Sequence, residues 1–338
     1  MAQKFVSIVV LTSKWGERGK HLDECLQGIY RQSFRDFEII LVTNGLGESQ
    51  VHSIRKKYDK LKIIKNEVNK GCATGRNQGI EQSRGNYIVT LDDDVIPDDS
   101  WLEELVTPAL NDESVGMVAS KILYSSRPDT IDSAGIEISK DGNAYHRKGL
   151  ARNGGYEQSE EIFGPCGAAA LYKRELFEDI GLFDEDYFIY YEDVDLAFRA
   201  RLAGWQCLYV PQAIAFHHHS WSLGQESSQK IFFIERNKIL TILKNWPIRA
   251  MLLYAPLIIG YDLMADGYYI LLKKDFSRLR AKLSALRQLP RVLRERSKIH
   301  GNKKISAPTI SKFLAAPYAP WVIYKRRCRL NHILCLTG

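Results

Sequence analysis

The sequence predicts an α/β protein: a doubly wound, mostly parallel sheet with helices on both faces, followed by a basic, helical C-terminal extension. Three observations carry this prediction. Short β-branched apolar runs alternate with amphipathic segments over the first 110 positions, polar residues follow the ends of several runs, and the balance of charge changes sign near residue 245. A chain of 338 residues is long enough for one large domain with an extension.

The strands and helices of the first 110 residues follow from hydrophobic periodicity. The predicted strands are 5–11, 37–42, 61–65 and 86–91, and the predicted helices are 20–32, 48–59 and 72–83. A helix between consecutive strands is the connection that a parallel pair needs. Ligands of such sheets bind beyond the carboxyl ends of the strands, so polar residues at those ends are candidates for function.

The second half of the body has a different pattern. From 115 to 172 glycine is frequent and helical periodicity is weak, which predicts short antiparallel strands and loops. Helices are predicted at 173–180 and 191–205, and one or two strands at 206–220. We place the end of the globular body at residue 245, because the composition changes there.

Charge divides the chain into an acidic body and a basic extension. Up to Lys244 there are 29 Lys and Arg against 36 Asp and Glu, a formal charge of −7; from Asn245 onward there are 18 against 4, a charge of +14. Such asymmetry predicts an anionic partner for the extension, either a membrane surface or a nucleic acid. The body is acidic and the extension has few aromatic residues, so no nucleic acid is expected.

An apolar stretch opens the extension at 250–272, and it is long enough to cross a bilayer. It contains Asp262 and Asp266, which are four residues apart and so share one helical face. Carboxylates at mid-depth are costly, so we expect a helix that lies in the interface or packs on the body, rather than a span. Leu residues at helical spacing with Arg and Lys between them then predict a basic amphipathic helix at an anionic surface; the alternative is a helix whose Leu stripe docks on its own protein. These Leu residues are 279, 283, 286, 289 and 293.

The cysteines and the N-terminal segment predict a cytoplasmic chain. The six cysteines include no CxxC pair, so they are expected to be reduced thiols rather than a disulfide framework or a zinc site. The first apolar run is short and lacks a small-residue cleavage site, so export is not expected.

Two acidic motifs are candidates for chemistry. LDDDV at 91–95 places Asp92 and Asp94 at a strand end, where oxygen ligands suit Mg²⁺ or Mn²⁺; the alternative is an Asp-rich turn. At 192–195, Glu192, Asp193 and Asp195 crowd a helix start, where a carboxylate could act as a general base; the alternative is complementation of the helix dipole.

Two further motifs complete the set. HHHS at 217–220 offers an imidazole ligand, and because neighbours in an extended segment face opposite sides, only His217 and His219 can share one. In NKGCATGRNQGI at 69–80, Gly71 and Gly75 permit close backbone approach and Arg76 offers a fork for phosphate or a base. The spacing is neither a P-loop nor GxGxxG.

The four motifs in this order resemble the family 2 glycosyltransferases, inverting enzymes of the GT-A fold, and within them the rhamnosyltransferase-like members. The resemblance covers roughly residues 5–245. It rests on SIVVLT, CLQGIYRQSFRDFEIILVTNG, NKGCATGRNQGI, LDDDV, PDTIDSAG, HHHSWSLG and the long block from GPCGAAALYK to YYEDVDLAFRARLAGW. It implies a nucleotide-binding half at 1–110, an acceptor and catalytic half at 111–245, and a membrane-associating extension at 246–338.

The resemblance also implies roles for particular residues. Asp193 matches the catalytic base. The nucleotide-sugar contacts are expected at Thr12, Asn44, Arg76, Asp92 and Asp93, the acceptor side at Gly167 and Glu192, and the metal ligands at Asp92, Asp94 and His217. Thr43 stands where the family commonly has Asp, which leaves the identity of the base open. His218 and His219 are expected to be bystanders.

The function expected from the resemblance is inverting, metal-dependent sugar transfer. The donor would be a dTDP-, UDP- or GDP-linked sugar and the cofactor Mg²⁺ or Mn²⁺. The acceptor would be a glycan or a polyprenyl-diphosphate-linked glycan at the inner face of the cell membrane. One alternative is a sugar-nucleotide nucleotidyltransferase, which would release pyrophosphate rather than a nucleoside diphosphate. Others are a glycan-binding protein without turnover and non-enzymatic binding of an anionic polymer through the extension.

Overall fold

The structure is a computed structural model that describes residues 5–13, 17–58, 60–219, 227–305 and 310–334. Two sequence predictions fall outside this part of the chain: the reduced state of Cys335, and the contribution of residues 220–224 in HHHSWSLG. The other five cysteines are free thiols, as expected.

The strands of the described chain form one large sheet and one small one. They are β1 (Val6–Thr12), β2 (Phe37–Asn44), β3 (Leu61–Asn66), β4 (Tyr87–Asp92), β5 (Val95–Pro97), β6 (Val115–Tyr124), β7 (Arg127–Ser133), β8 (Ile136–Ser139), β9 (Ala144–His146), β10 (Glu160–Ile162), β11 (Ala169–Lys173), β12 (Gln206–His217) and β13 (Leu314–Ala315).

The large sheet has the order β10-β12-β6-β11-β4-β1-β2-β3, with β5 beside β12 and β7 beside β6. β1 pairs in parallel with both β2 and β4, and β2 pairs in parallel with β3. β11 runs antiparallel between β4 and β6, whereas β12 returns parallel to β6. The predicted α/β class with a mostly parallel sheet is confirmed. The long, fully buried strand β6 was not expected from its glycine-rich neighbourhood.

The helices connect these strands and then form the extension. They are α1 (Glu17–Arg31), α2 (Glu48–Lys57), α3 (Cys72–Glu81), α4 (Trp101–Asn111), α5 (Arg174–Ile180), α6 (Glu192–Leu202), α7 (Ser228–Asn245), α8 (Ile248–Gly267), α9 (Ser277–Arg287), α10 (Leu289–Gly301) and α11 (Pro320–Leu334).

Two apolar cores lie on opposite faces of the large sheet. Val9 of β1 packs with Ala73 and Ile80 of α3, whereas Ile8 and other residues of β1 pack with the apolar stripe of α1. Alternate side chains of a strand point to opposite faces, so a run such as VSIVVLT, in which nearly all residues are buried, must be covered on both sides. This accounts for the helices on both faces.

The extension packs against the body through ion pairs. Arg291 of α10 pairs with Asp184 (3.0 Å) and Asp186 (2.7 Å), and Lys304, which follows α10, pairs with Asp179 at 3.0 Å. Lys304 donates its backbone N–H to Leu202 at 2.9 Å. Part of the positive charge of the extension is therefore balanced by the acidic body.

The predicted amphipathic helix is two helices, because Pro290 lies in the first turn of α10 and lacks the N–H that would continue α9. α9 buries Ala281 and Ala285, whereas four of the five Leu residues in the stripe are exposed. These are Leu279, Leu283, Leu286 and Leu293. The alternative in which the Leu stripe docks on its own protein is therefore wrong for these residues.

One helix in the described chain, Ile248–Leu272, is long and apolar enough to cross a membrane by length and composition. Asp262 and Asp266 do share a face of it, as predicted, since Arg278 reaches both, at 3.3 and 2.7 Å. Lys238 of α7 also pairs with Asp262, at 2.5 Å. Leu252 and Leu253, near the start of this helix, are exposed, with 70% and 69% exposure.

Candidate active site

A cavity of about 740 Å³ lies at the carboxyl edge of the sheet, where β1, β2 and β4 end. Its lining brings together the Asp92–Asp94 turn, Asp193 at the start of α6, and His217 at the end of β12. These groups are up to 125 positions apart in the chain. Their convergence follows from the sheet order, because parallel strands deliver their C-terminal residues to one edge.

Arg76 of α3 joins two of the predicted acids. Its Nη2 donates to Asp92 Oδ1 at 2.9 Å, and its Nη1 donates to Glu192 Oε1 at 2.7 Å. The guanidinium is buried, so both ends of its fork are used within the protein. Arg76 therefore orients two carboxylates at the cavity wall; its predicted contact with the nucleotide stays a prediction.

Burial changes the protonation of these acids. It raises the pKa of Glu192 to about 7; the carboxylate of Asp193 adds to that rise and Arg76 opposes it. Burial also raises the pKa of Asp92 above its ordinary value, against the effect of Arg76 and with the help of Asp94. Glu192 Oε2 is buried without a hydrogen bond in the described part of the chain, which fits a carboxyl group that is partly protonated at neutral pH.

Asp193 is held by two backbone amides. Gly167 donates its N–H to Oδ2 at 3.0 Å, and Val194 donates its N–H to Oδ1 at 2.8 Å. Such hydrogen bonds fix the carboxylate at the cavity wall. A Cβ at Gly167 would lie 2.8 Å from Arg76 Nη1, so the small residue makes room for the arginine. Its predicted role toward the acceptor stays a prediction.

Asp195 is separate from this group. It is fully buried and pairs with Arg199 at 2.9 Å and with Lys244 at 2.8 Å. Burial raises the pKa of Asp195, but Lys244 and Arg199 outweigh it and lower the pKa to about 2. This acid is part of the packing between α6 and α7, whereas Glu192 and Asp193 line the cavity.

His217 stands between two carboxylates. Its Nε2 lies 3.3 Å from Asp94 Oδ1, and its Nδ1 lies 2.9 Å from Asp132 Oδ2. Burial lowers the pKa of His217, but Asp94 and Asp132 outweigh it and raise the pKa well above its ordinary value. A carboxylate on Nδ1 is the arrangement that directs Nε2 of a ligating histidine toward a metal.

Asp132 of β7 has a place in the site that the sequence analysis missed. It is 1% exposed and also lies 3.0 Å from His219 Nε2 and 3.1 Å from His146 Nδ1. Burial would raise the pKa of Asp132, but His219 and His146 lower it well below the ordinary value. Asp132 is the second acid of PDTIDSAG, one of the stretches on which the resemblance rests. The sequence analysis assigned it no role.

His219 also lies closer to the site than expected. Its ring stacks on that of His217 with centroids 3.9 Å apart, and both line the cavity. His218 points to the other side, where its ring stacks on His21 at 4.2 Å. The alternation predicted for HHHS is therefore confirmed, but the expectation that His219 is a bystander overlooked the carboxylate of Asp132 beside it.

The donor set fits a divalent cation. Asp94 and His217 present an oxygen and a nitrogen 3.3 Å apart, and Asp132 supplies the outer carboxylate that orients the imidazole. Mixed O/N donors of this kind suit Mn²⁺ as well as Mg²⁺. Asp92 lines the same cavity, but its Oδ1 is held by Arg76.

The loop before α6 has a constrained backbone. Phe188, Tyr190 and Tyr191 all have positive φ (63°, 66° and 68°), which costs of order 1–3 kcal/mol each for such residues. Asn237 of α7 stabilises it by donating to the carbonyls of Tyr187, Ile189 and Tyr190 at 2.7–2.9 Å. Since Asp193 follows this loop directly, Asn237 positions the predicted base from a helix with no motif of its own.

Gly71 explains why α3 can approach this loop. It has φ +90°, and a Cβ there would lie 2.6 Å from the Phe188 carbonyl oxygen. Asn44 fixes the same turn: its Nδ2 donates to the Gly71 carbonyl at 2.8 Å, and its Oδ1 accepts from Asn66 Nδ2 at 2.9 Å. The Asn44 amide thus bonds within the protein, and its predicted recognition of the base stays a prediction.

Thr12 and Asp93 differ in their access to the cavity. Thr12 is 1% exposed, and its neighbours Leu11 and Ser13 line the cavity, whereas Asp93 is itself part of the lining. The predicted nucleotide contacts of both residues stay predictions.

Helices α7 and α11 add cations to the cavity wall. Lys230 of α7 and Arg326 and Arg327 of α11 line it together with apolar Ile323 and Leu330. Burial lowers the pKa of Lys230 to about 8, and Arg327 acts in the same direction. The sequence analysis placed α11 in an extension apart from the site, and no motif marks these residues.

This fold and site define the class of sugar-transferring enzymes with a GT-A fold. The chain matches GalNAc-T7, whose crystal structure contains UDP, GalNAc and Mn²⁺, with a TM-score of 0.54 at 16% identity, over 71% of this chain and 50% of that one. At this identity the likeness shows the fold alone.

The family is shown by the sequence profile of Glycosyl transferase family 2, which matches residues 8–181. The chain belongs to this family and is a glycosyltransferase, as predicted. Its relatives include the N-acetylglucosaminyl-diphospho-decaprenol L-rhamnosyltransferase of Mycobacterium tuberculosis, 26% identical over 63% of this chain and 76% of that protein. The uncharacterized protein y4gI of Sinorhizobium fredii is 28% identical over 64% of this chain. This chain spans only 25% of the length of y4gI.

Proposed function

We propose that this protein transfers a sugar, with inversion, from a nucleoside-diphosphate sugar to a hydroxyl group of a lipid-linked glycan, in the biosynthesis of a cell-surface polysaccharide or glycoconjugate. The observation that carries the proposal is the meeting of Asp94, Asp193 and His217 at one cavity. Membership of the family favours sugar transfer over nucleotidyl transfer and over binding without turnover. A divalent cation would neutralise the diphosphate and improve it as a leaving group, with Asp94 and His217 as its ligands.

Asp193 is the proposed base. Its carboxylate accepts the proton of the acceptor hydroxyl, whose oxygen forms a bond to the anomeric carbon from the face opposite the diphosphate. The bond from that carbon to the diphosphate oxygen breaks, and the nucleoside diphosphate leaves with the electron pair. A single displacement inverts the anomeric configuration. The Gly167 and Val194 amides hold the carboxylate for this step.

The proposed acceptor carries a polyprenyl diphosphate. Three cations, Lys230, Arg326 and Arg327, share the cavity wall with apolar Ile323 and Leu330, a combination that suits an anionic group attached to a hydrocarbon chain. The Mycobacterium tuberculosis relative is named for an acceptor of this class. The donor sugar and its base have no comparable support from the cavity.

The proposed location is the cytoplasmic face of the cell membrane. α8 turns Leu252 and Leu253 outward while its carboxylates face the body. α9 and α10 expose further Leu residues between Lys and Arg. An apolar face beside basic residues favours binding in the plane of an anionic interface.

The test follows release of nucleoside diphosphate in a screen of UDP-, dTDP- and GDP-sugars with a polyprenyl-diphosphate-linked acceptor. We expect Asp193→Asn to lose about 10²–10⁴-fold in turnover while donor binding survives. The matched control Glu178→Gln alters an exposed acid of α5 that does not line the cavity, and it should keep wild-type turnover. We also expect chelation to abolish transfer and Mn²⁺ or Mg²⁺ to restore it.

Three results would contradict parts of the proposal. Near wild-type turnover of Asp193→Asn would exclude it as the base, and full activity after exhaustive chelation would exclude the metal. Pyrophosphate as the product would favour nucleotidyl transfer.

A further inference from the structure

A second cluster of metal-ligating side chains lies apart from the cavity. His21 and Glu24 are one turn apart on α1, and His218 follows the end of β12. Glu24 Oε2 lies 3.6 Å from His21 Nδ1 and 3.2 Å from His218 Nε2. One ligand atom from each residue falls within 4.8 Å of the other two, and none of the three residues lines the cavity.

The separations match those of a bound transition metal. Zn²⁺ takes His nitrogen and carboxylate oxygen at about 2.0–2.2 Å, and tetrahedral angles then put the ligand atoms about 3.3–3.5 Å apart. The observed 3.2 and 3.6 Å bracket this value. Two imidazoles and one carboxylate leave a fourth position for water, a donor set that suits Zn²⁺ better than Mg²⁺.

The unsatisfied atoms point to the same conclusion. His21 Nδ1 and Glu24 Oε2 are both enclosed, and neither has a hydrogen bond within the described chain. Buried polar atoms are rarely left so. An ion between the three side chains would satisfy both atoms at once.

We infer that His21, Glu24 and His218 form a cation site of the Zn²⁺ class, separate from the proposed catalytic metal. The site would link α1 to the end of β12. His218 donates its backbone N–H to the Asp94 carbonyl at 2.9 Å, and its neighbour His217 faces Asp94 in the cavity. The ion would therefore hold in place the segment that carries the proposed catalytic ligands.

The experiment measures Zn²⁺ bound per chain by the full-length protein after removal of metal, by equilibrium dialysis with elemental analysis. The variants are His21→Ala and Glu24→Gln, with His52→Ala as the matched control, since His52 is an exposed histidine on α2. We expect the first two to lose one site, seen as at least about a 10- to 100-fold weaker affinity, and His52→Ala to match the wild type. Zn²⁺ should raise the Tm of the wild type, and this rise should shrink in both variants.

A further variant separates the two metal sites. Asp94→Asn should keep the ion at His21 even if it loses one from the cavity. Equal Zn²⁺ stoichiometry and affinity in wild type, His21→Ala and Glu24→Gln would overturn the inference, as would loss of all Zn²⁺ in Asp94→Asn. If His21→Ala proves unfolded by circular dichroism, Glu24→Gln decides, because it changes only one oxygen of a partly exposed side chain. Neither outcome depends on sugar transfer.

Discussion

Asp132 offers the sharpest test of how the site is built, because a single atom change alters it. Its carboxylate can only accept hydrogen bonds, so His217 must donate from Nδ1 across the 2.9 Å contact. Nε2 then faces Asp94, and its proton is the one that a bound cation would displace. In Asp132→Asn, an NH₂ group, which can only donate hydrogen bonds, replaces one of the two carboxylate oxygens.

Either orientation of the new amide is unfavourable. If its NH₂ faces His217, the imidazole must accept at Nδ1 and carry its proton on Nε2, where it cannot ligate a metal. If it faces the other way, the NH₂ meets His219 and His146, which lie 3.0 and 3.1 Å from the same oxygen of Asp132. The negative charge is lost in both cases.

The expected loss of metal affinity in Asp132→Asn is the loss seen when a carboxylate that hydrogen-bonds a metal-binding histidine is removed. Its removal costs about 10- to 100-fold in metal affinity or activity, which corresponds to about 1.4–2.8 kcal/mol. The assay titrates Mn²⁺ against the rate of nucleoside diphosphate release for wild type and Asp132→Asn. The half-saturating Mn²⁺ concentration should rise, and excess Mn²⁺ should recover part of the rate.

Asp129→Asn is the matched control, since Asp129 lies on the same strand and is exposed. It should leave the titration unchanged. An unaltered Mn²⁺ dependence in a folded Asp132→Asn protein would refute the reasoning. Equal impairment of both variants would do so too, because the effect would then not depend on the imidazoles.

Three other predictions follow from contacts of the site and the extension. Gly167→Ala should displace the Arg76 guanidinium, costing about 1–3 kcal/mol in the free energy of unfolding by overpacking and lowering turnover. For Glu192, a pKa raised from 4.5 to about 7 means that the folded state binds the extra proton, so stability falls by on the order of 3 kcal/mol as pH rises from about 4.5 to 7; Glu192→Gln should remove that fall in urea denaturation. Leu252→Asp with Leu253→Asp should reduce flotation with acidic liposomes at least about tenfold, because a buried Leu contributes about 1.5–3 kcal/mol.

Matched variants make these outcomes specific. Gly301→Ala, at an exposed position where a Cβ would meet nothing within 4 Å, should lower the free energy of unfolding by no more than about 0.5 kcal/mol. Val68→Asp, 65% exposed on the body, should float like the wild type. Parallel pH profiles for wild type and Glu192→Gln would show that Glu192 titrates normally, and unchanged flotation of the double Leu variant would remove α8 from the membrane interface.

The first half of the fold was predictable because its strands are buried on both faces. In β1 nearly all residues are apolar and enclosed, so the strand is marked by composition as well as by periodicity. β6 is equally buried, but it opens the stretch 115–172, where helical periodicity is weak, and its parallel partner β12 comes 82 positions later in the chain. Such pairing depends on tertiary packing, which local patterns do not report.

The residues of the candidate site also fall into a group that the sequence predicts and a group that it does not. Asp94, Asp193 and His217 lie in motifs dense with acids or imidazoles, and those motifs can be found without a structure. Asp132 and Asn237 act through single buried hydrogen-bonding groups. A lone polar residue in a strand or helix has no distinctive sequence pattern, so only the fold identifies its partners.

The two carboxylates of α8 argue against a membrane span in the sequence for one reason and in the structure for another. In the sequence, Asp262 and Asp266 argued against a membrane span because of the cost of burying charge in lipid. In the structure, Arg278 binds both, and Lys238 also binds Asp262, so a span would have to break these pairs or carry them into the bilayer. The same ion pairs hold the two carboxylates of α8 against α7 and α9, while its Leu252 and Leu253 stay exposed. We therefore expect α8 to bury its exposed Leu residues by lying along a membrane surface rather than by crossing it.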